Sequence, residues 1–367
     1  MIYRTHAQKD STIYEQSERM DQNTGNDEIL EVTKFFESEI DSNNFIGNSR
    51  ILIKFNLTDM SSSLSNNEIS GSSIKYYLNL TSTEQSEVQS EYQLDIFPLV
   101  ESWDNGIGQF HYTPQVTNGV SWRYRNDSTL WDTGSTLLDT TSSYYKSNGG
   151  GVWYTSSTVN TTSSQTFNSY TNNLRVDVTD YVNDWISGVR DNNGFIIKRP
   201  NISETGSLRF GSSKFFSNET HTIYVPTLEI NWDNTIFDTG SLNEVNDVDL
   251  ILYPKNLNRY YKEGSKARIR VVGRERFRER TFATSSLYNT LKYLPESTYY
   301  QLRDVETNLA IIPFDDIYTK VGCDSDGNYF DFWFNTLQSE RFYQFEFKVV
   351  RGSKEEYFDG YVFKVIR

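Results

Sequence analysis

Short β-prone segments between polar turns recur along this sequence and restrict its fold more than any other feature. Residues 50–55 read Arg-Ile-Leu-Ile-Lys-Phe, with apolar side chains at 51, 53 and 55. This alternation predicts a strand with one buried face. Further segments of this kind occur at 29–34, 74–80, 92–97, 195–198, 207–210 and 227–230. Because strands and helices do not alternate, a doubly wound or (β/α)8 fold is excluded, and we predict an all-β, jelly-roll-like sandwich.

One helix is predicted, over residues 177–187. Apolar side chains recur there at i, i+3, i+4, i+7 and i+8, which is typical of a helix packed on a core. Asp177 is the predicted N-cap, and Gly188 is the predicted stop. The apolar stripe consists of Val178, Tyr181, Val182, Trp185 and Ile186.

The distribution of charge divides the chain near residue 233. The net charge is −14, and residues 233–367 hold 21 acidic and 19 basic side chains, so this part carries −2 and the preceding part −12. We predict a first domain over 1–232, a linker over 233–240 and a second domain over 241–367. The acidic first domain repels nucleic acid and anionic lipid, so neither free nucleic acid nor a membrane is an expected partner.

The second domain is predicted to be an immunoglobulin-like sandwich. Apolar and polar side chains alternate over 343–349 and again over 361–365. About six or seven strands in about 125 residues is typical of such a sandwich. Tyr343, at the start of a long strand, is a candidate tyrosine corner.

A basic stretch stands out in the second domain. Alternation over 266–271 places three cations on one strand face and Ala267, Ile269 and Val271 on the other. Three interpretations are open: a solvated strand face, a docking surface for an acidic protein, and a nucleic-acid surface, for which Phe277 alone would offer stacking. The candidate interface residues are Lys266, Arg268, Arg270, Arg274, Arg276, Arg278 and Arg280.

Residues 103–173 form a long polar region in which tryptophan and tyrosine recur. Loops of this length are commonly functional, and buried aromatic rings can anchor them. The region is therefore predicted either to pack over one end of the sandwich or to present a surface that binds a protein or a carbohydrate. The candidate ligand-binding residues are Trp122, Tyr124, Trp131, Tyr144 and Tyr145.

The sequence predicts no catalytic, metal or cofactor site. Cys323 is the single cysteine and the three histidines lie far apart, so neither a zinc site nor a disulfide is expected. Residues 324–328 resemble the start of a calcium loop, but the twelfth position is Asn335, so a turn between strands is favoured. We predict a protein that is not an enzyme. A polysaccharide depolymerase whose carboxylates converge only on folding is the alternative.

Several motifs together resemble the DNRLRE-type domain, a jelly-roll sandwich of the growth-factor-propeptide-like kind. The most specific is the helix of residues 177–188 followed by Asn-Gly-Phe-Ile-Ile at 193–197. The others are Lys-Asp-Ser-Thr-Ile-Tyr at 9–14, the segment 50–55, Leu94-Asp95-Ile96, Ser102-Trp103 and Gly-Gly-Val-Trp at 150–153. The resemblance covers about residues 1–232. It implies a structural and adhesive module with no catalytic residues.

This family occurs in exported bacterial surface proteins and in bacteriophage virions. Residues 1–10 lack the apolar segment of a signal peptide, so we expect no export signal, and with that expectation the resemblance favours the phage setting. We expect a virion structural protein of a tailed bacteriophage, in the neck, collar, tail or fibre apparatus, assembled in the host cytoplasm with other virion proteins and copies of itself. The alternatives are a carbohydrate- or host-surface-binding adhesin module and, within the structural class, a capsid decoration protein.

Overall fold

The computed structural model describes most of the chain, and strands dominate it. The described residues are 1–36, 45–70, 73–132, 144–145, 149–155, 163–168, 170, 172–206, 208, 210–246, 249–277, 291–335 and 337–367. The predicted all-β class with a short helix is confirmed. The helices in the described ranges are α1 (Thr58–Ser65), α2 (Thr179–Ile186) and α3 (Asn201–Thr205).

The structure divides into two compact units whose boundaries differ from the predicted 1–232, 233–240 and 241–367. We call Thr5–Asn66 with Lys75–Glu229 the N-terminal unit. The C-terminal unit consists of Met1–Arg4, Asn67–Ile74 and Ile230–Arg367. The main boundary therefore falls three residues before the predicted one. Two short segments of the predicted first domain, Met1–Arg4 and Asn67–Ile74, also belong to the C-terminal unit. Net charge cannot reveal such a division.

The N-terminal unit is built on a branched sheet. Its main path runs β10-β4-β13-β1-β3-β11-β6-β9, and β2, β12 and β5 continue from β3. β7 and β8 pair separately. The strands are β1 (Ile2–Tyr14), β2 (Ile29–Phe36), β3 (Phe45–Phe55), β4 (Lys75–Leu80), β5 (Ser82–Ser86), β6 (Tyr92–Pro98), β7 (Tyr144–Tyr145), β8 (Trp153–Tyr154), β9 (Ser163–Phe167), β10 (Leu174–Asp177), β11 (Phe195–Lys198), β12 (Phe210–Phe216) and β13 (Thr227–Asn231).

Helix α2 follows its predicted apolar stripe but begins later than predicted. Val178 occupies the N-cap position, and Asp177 instead accepts a hydrogen bond from the Thr179 N–H (2.9 Å) at Oδ1. Asp177 is therefore wrong as the N-cap. The predicted stop is confirmed: Gly188 has φ +71°, and the amides after the helix bond back in a Schellman arrangement, Gly188 N–H to Trp185 O and Val189 N–H to Asp184 O.

The C-terminal unit is a β-sandwich of two main sheets. One runs β15-β17-β22-β21 and the other β16-β24-β23-β19-β20, while β14 pairs with β18. The strands are β14 (Asn243–Glu244), β15 (Leu250–Pro254), β16 (Tyr260–Lys262), β17 (Lys266–Glu275), β18 (Lys292–Tyr293), β19 (Thr298–Asp304), β20 (Ala310–Ile312), β21 (Gly322–Asp324), β22 (Gly327–Trp333), β23 (Phe342–Arg351) and β24 (Lys354–Ile366).

Aromatic rings from both main sheets form the core of this sandwich. Tyr300 of β19 stacks on Phe330 of β22 with centroids 4.3 Å apart. Phe345 of β23 meets Phe332 of β22 edge-on at 5.1 Å. The predicted alternation of β23 is confirmed by burial of Tyr343, Phe345, Phe347 and Val349. Tyr343 Oη donates to the Gln338 carbonyl (3.2 Å), which is the hydrogen bond of a tyrosine corner.

Candidate functional site

The basic stretch lies on β17, where burial alternates as predicted. Ile269 and Val271 are buried, while Lys266 and Arg268 are exposed and Arg270 is half-buried. The neighbouring strand β22 runs antiparallel, and its register places Trp333 opposite Lys266, Asp331 opposite Arg268 and Tyr329 opposite Arg270. The cations on β17 therefore share a sheet face with a carboxylate and two aromatic rings from β22.

Two of the arginines already hold carboxylates of the same chain. Arg268 binds Asp331 through both Nε (2.8 Å) and Nη2 (3.1 Å). The hydrogen bond to Asp331 raises the pKa of Arg268. Arg270 pairs with Asp324, and its hydrogen bond lowers the pKa of that carboxyl group. The excess positive charge that the linear sequence indicates is thus largely offset at Arg268 and Arg270 in the folded chain.

Aromatic rings lie beneath these cations, a feature that sequence analysis missed. The Arg268 guanidinium carbon is 4.2 Å from the Tyr329 ring centroid, and Lys266 Nζ is 4.9 Å from the Trp333 ring centroid. These rings come from β22, about 60 residues away in sequence, so the local stretch gives no signal for them. Each ring is covered by a cation, which limits its use for stacking on nucleic-acid bases.

The end of β17 remains the accessible part of the candidate interface. Arg276 is exposed, and Phe277 beside it has 77% of its surface accessible. Arg274 is half-buried. Arg278 and Arg280 lie outside the described residues. A partner that reaches this end would therefore meet one arginine and one aromatic ring from the described part of the stretch.

A partly buried ion pair between Glu275 and Lys292 lies at the last residue of β17. Burial alone would raise the pKa of Glu275, but hydrogen bonds from Lys292 and from the Asn246 amide lower it to about 2. Glu275 is thus ionised at neutral pH, and its charge is matched within the sheet. It is not available as a proton-transfer group.

The candidate ligand-binding tryptophans of the long loop region are buried. Trp122 is 4% exposed and Trp131 is 1% exposed, and both belong to a hydrophobic cluster with Trp103 and Trp153. Trp131 Nε1 donates to the Ser121 carbonyl (3.0 Å), so its polar edge is also engaged. Trp122 and Trp131 are therefore wrong as an exposed stacking platform. Packing of the loops by buried aromatic rings is the interpretation that the geometry supports.

The remaining candidates in these loops are tyrosines. Tyr124 is half-buried, and its backbone forms a bridge with Leu130. Tyr144 and Tyr145 form β7, which pairs with Tyr154 and Trp153 of β8, but their side chains lie outside the described part of the chain. No tryptophan in the described ranges is exposed beside Tyr124.

A buried ion cluster holds these loops to the sheet. Arg50 of β3 binds Glu204 of α3 through Nε (3.1 Å) and Nη2 (2.8 Å), and its Nη1 donates to the Gly150 carbonyl (2.7 Å). Lys198 Nζ lies 3.1 Å from the same carboxylate. The Arg50 guanidinium also lies 4.5 Å from the Trp122 ring centroid. The Glu204 carboxylate of α3 thus binds side chains of β3 and β11. Arg50 in addition binds the loop that contains Gly150.

The ionisation of the cluster follows from its burial and its pairs. Burial lowers the pKa of Lys198 to about 8, although Glu204 opposes this shift. Burial alone would raise the pKa of Glu204, but Arg50 and Lys198 together lower it. The carboxylate is therefore charged at neutral pH and matched by two cations. Since all three side chains are buried, the cluster has a structural role.

Asp10 of β1 is expected to contribute a loss of folding stability as pH rises. It is buried, it accepts the Asn218 N–H (2.7 Å), and burial raises its pKa to about 7. Between about pH 4 and 7 the native state holds a proton that the unfolded state has released, so stability decreases with pH. From pH 5 to pH 8 the Asp10 contribution is expected to be a loss of about 2–3 kcal/mol. Burial lowers the pKa of the Met1 ammonium to about 5, which contributes with the opposite sign over the same range. The Asp10 contribution is therefore read by urea denaturation at each pH as the difference between wild type and a variant without this carboxylate.

The Asp10→Asn variant tests this assignment, because its carboxamide oxygen still accepts the Asn218 N–H while the titration is removed. We expect the stability of the variant relative to wild type to rise by about 2–3 kcal/mol between pH 5 and 8. Asp27, with its pKa raised by burial to about 6, contributes the same sign and stays in the variant. Asp21→Asn is the control, at a side chain that is 44% exposed. An Asp10→Asn variant with the wild-type slope would contradict the prediction.

The turn that resembles a calcium loop joins two strands, as predicted. Asp324 of β21 pairs with Gly327 of β22 across Ser325 and Asp326. The Asp324 carboxylate accepts hydrogen bonds from Arg270 and the Asp326 amide. Cys323 is buried, and burial raises its pKa to about 11, so it is a thiol at neutral pH. In the described ranges no group of three or more His, Cys, Asp or Glu is placed to hold a metal ion.

Comparisons with known proteins add no family assignment. No family model and no curated protein matches the chain. Two crystal structures of the β-glucuronidase of Parabacteroides merdae, one with glycerol in its active site, align with 96% of this chain at 8% identity and a TM-score of 0.18. The chain spans 36% and 35% of those two chains, and at this TM-score the likeness carries no argument. Among the described helices, none is long and apolar enough to cross a membrane.

Proposed function

We propose that this chain is a non-enzymatic structural protein of a tailed-bacteriophage virion, in the neck, collar, tail or fibre apparatus. The observation that carries the proposal is the all-β architecture of two compact units, each with its own aromatic core. This architecture agrees with the adhesive jelly-roll module that the sequence resembles. A capsid decoration protein is the alternative within the structural class.

The use of charged groups inside the units supports a structural role. Arg50 and Lys198 both bind Glu204 below the surface, and Arg268 and Arg270 hold carboxylates of β22 and β21. Pairs of this kind fix loops and sheet register. A general acid or base would instead have to exchange protons with a substrate.

Mass spectrometry of purified particles tests the proposal. We expect peptides of this chain in gradient-purified virions, at a ratio to the major capsid protein that is reproducible between preparations. The partners would be other virion proteins and copies of this chain, assembled in the host cytoplasm without a cofactor. Absence of the chain from particles whose other structural proteins are detected would overturn the proposal.

The same assay locates the docking surface, which we place at the exposed end of β17. Arg276→Glu reverses the charge next to Phe277, and it is expected to reduce incorporation severalfold if an acidic partner lies there. Arg259→Glu, an exposed arginine outside β17, is the matched control. Equal incorporation of both variants and the wild type would remove β17 as the interface.

A further inference from the structure

A cleft in the N-terminal unit is lined by residues that none of the sites above uses. Its volume is about 600 Å3, within the range of small-molecule sites. The walls come from the end of β3, from α1, from α2 and from β1. The lining residues that carry the argument are Gln8, Lys54, Asn56, Ser62, Trp185 and Asn192.

One face of α1 supplies a row of hydroxyl groups to this cleft. Thr58, Ser61, Ser62 and Ser65 follow the i, i+3, i+4, i+7 spacing and all four line the cleft. Ser62 Oγ donates to the Thr58 carbonyl (2.9 Å), and Ser65 Oγ donates to the Ser62 carbonyl (2.8 Å). Because these protons are committed to the helix backbone, the hydroxyl oxygens are left to accept hydrogen bonds.

Gln8 and Lys54 add hydrogen-bond donors to the lining of the cleft. Gln8 sits at an irregularity of β1, where the register with β3 shifts between Ala7 and Lys9. Such a shift turns a side chain away from the regular strand direction. The exposed Gln8 amide and the Lys54 ammonium are both donors. A molecule in this cleft therefore meets both hydrogen-bond acceptors and hydrogen-bond donors.

Trp185 contributes only a small part of its surface to the cleft. Its side chain is 7% exposed and lines the cleft, while its indole Nε1 is shielded from solvent. A ligand in the cleft therefore meets the polar groups of the other lining residues rather than this N–H.

The chemistry of the lining selects the class of ligand. Lys54 is the only ionisable side chain among the described lining residues, so multiply charged ligands such as nucleotides lack matching charges. The hydroxyl face of α1 is unsuited to an apolar ligand. We propose that this cleft is a saccharide-binding site. The site goes beyond the proposed virion role, since a protein can bind a saccharide whether or not it enters a particle.

A glycan array probed with the full chain tests the proposal, followed by calorimetric titration with the saccharides that bind and with maltotriose and triacetylchitotriose. Gln8→Ala is expected to weaken binding about fivefold, which corresponds to one neutral hydrogen bond. Ser62→Tyr, at an exposed position of α1, is expected to fill the cleft and reduce affinity at least tenfold. The matched controls are Gln115→Ala and Ser128→Tyr, at exposed positions outside the cleft.

Thermal melts of all four variants separate loss of binding from loss of folding, and Gln8→Ala suffices if Ser62→Tyr does not fold. The proposal is overturned if no saccharide on the array binds. It is also overturned if a saccharide binds equally well to wild type and to both cleft variants. Neither result affects the virion proposal, which depends on the composition of particles.

Discussion

Replacing Arg50 with methionine is expected to lower the free energy of unfolding by about 3–5 kcal/mol. The substitution keeps a long side chain but removes the bidentate bond to Glu204 and the bond to the Gly150 carbonyl. Glu204 is then left buried with Lys198 as its remaining cation. A buried carboxylate with too few partners is costly because it has lost its hydration. The measurement is urea denaturation followed by tryptophan fluorescence.

An exposed arginine provides the matched control. Arg123 pairs with Asp21, and both side chains are close to half exposed. Arg123→Met is expected to change stability by about 1 kcal/mol or less. Adding Glu204→Gln to Arg50→Met should cost less than the sum of the two single changes, because the groups act as one unit. Additive effects, or a loss at Arg50 no larger than at Arg123, would contradict a structural role for the cluster.

Trp131→Ala is expected to destabilise the N-terminal unit by about 3–5 kcal/mol, as for other large aromatic side chains removed from a core. Trp131 is almost fully buried in the cluster of Trp103, Trp122 and Trp153, and its loss leaves a cavity and an unpaired Ser121 carbonyl. Leu130→Ala is the neighbouring control, since Leu130 is 50% exposed. We expect less than about 1 kcal/mol there.

The comparison of Trp131→Ala with Leu130→Ala also shows whether a loss of function at Trp131 comes from a lost binding contact or from a destabilised core. A stacking residue on the surface could be removed with little change in stability, whereas a core residue cannot. If Trp131→Ala and Leu130→Ala unfold at the same urea concentration, the packed-loop interpretation is wrong. Chemical denaturation of the purified variants gives the result directly.

Local patterns in the sequence predicted local structure well. The apolar stripe of α2, the alternation of β17 and β23 and the stop at Gly188 each depend on side chains within about ten residues. Tyr343 was recognisable because its position at the start of a strand is a recurrent feature of sandwiches. Helices α1 and α3 escaped prediction. The Thr/Ser face of α1 has no apolar stripe, and α3 is only five residues long.

Features that depend on distant pairs were not predictable from the sequence. Arg50 and Glu204 lie 154 residues apart, and no periodicity connects them. The sequence alone overestimates the charge at β17 for the same reason, because the partners of Arg268 and Arg270 come from β22 and β21. The cleft beside α1 combines four separate segments. The aromatic rings of the long loops fit either a packed core or an exposed ligand-binding surface, because composition alone does not show whether a ring is buried.

Segments of the two units alternate along the chain, and this order constrains how the gene can be recombined. A fragment that begins at residue 233 would lack Met1–Arg4 and Asn67–Ile74, which belong to the C-terminal unit. The Trp232 amide, which donates to the Met1 carbonyl (3.0 Å), would be lost with them. Exchange of either unit between genes by a single crossover would therefore transfer an incomplete sandwich. The two units are expected to be inherited together, as one block.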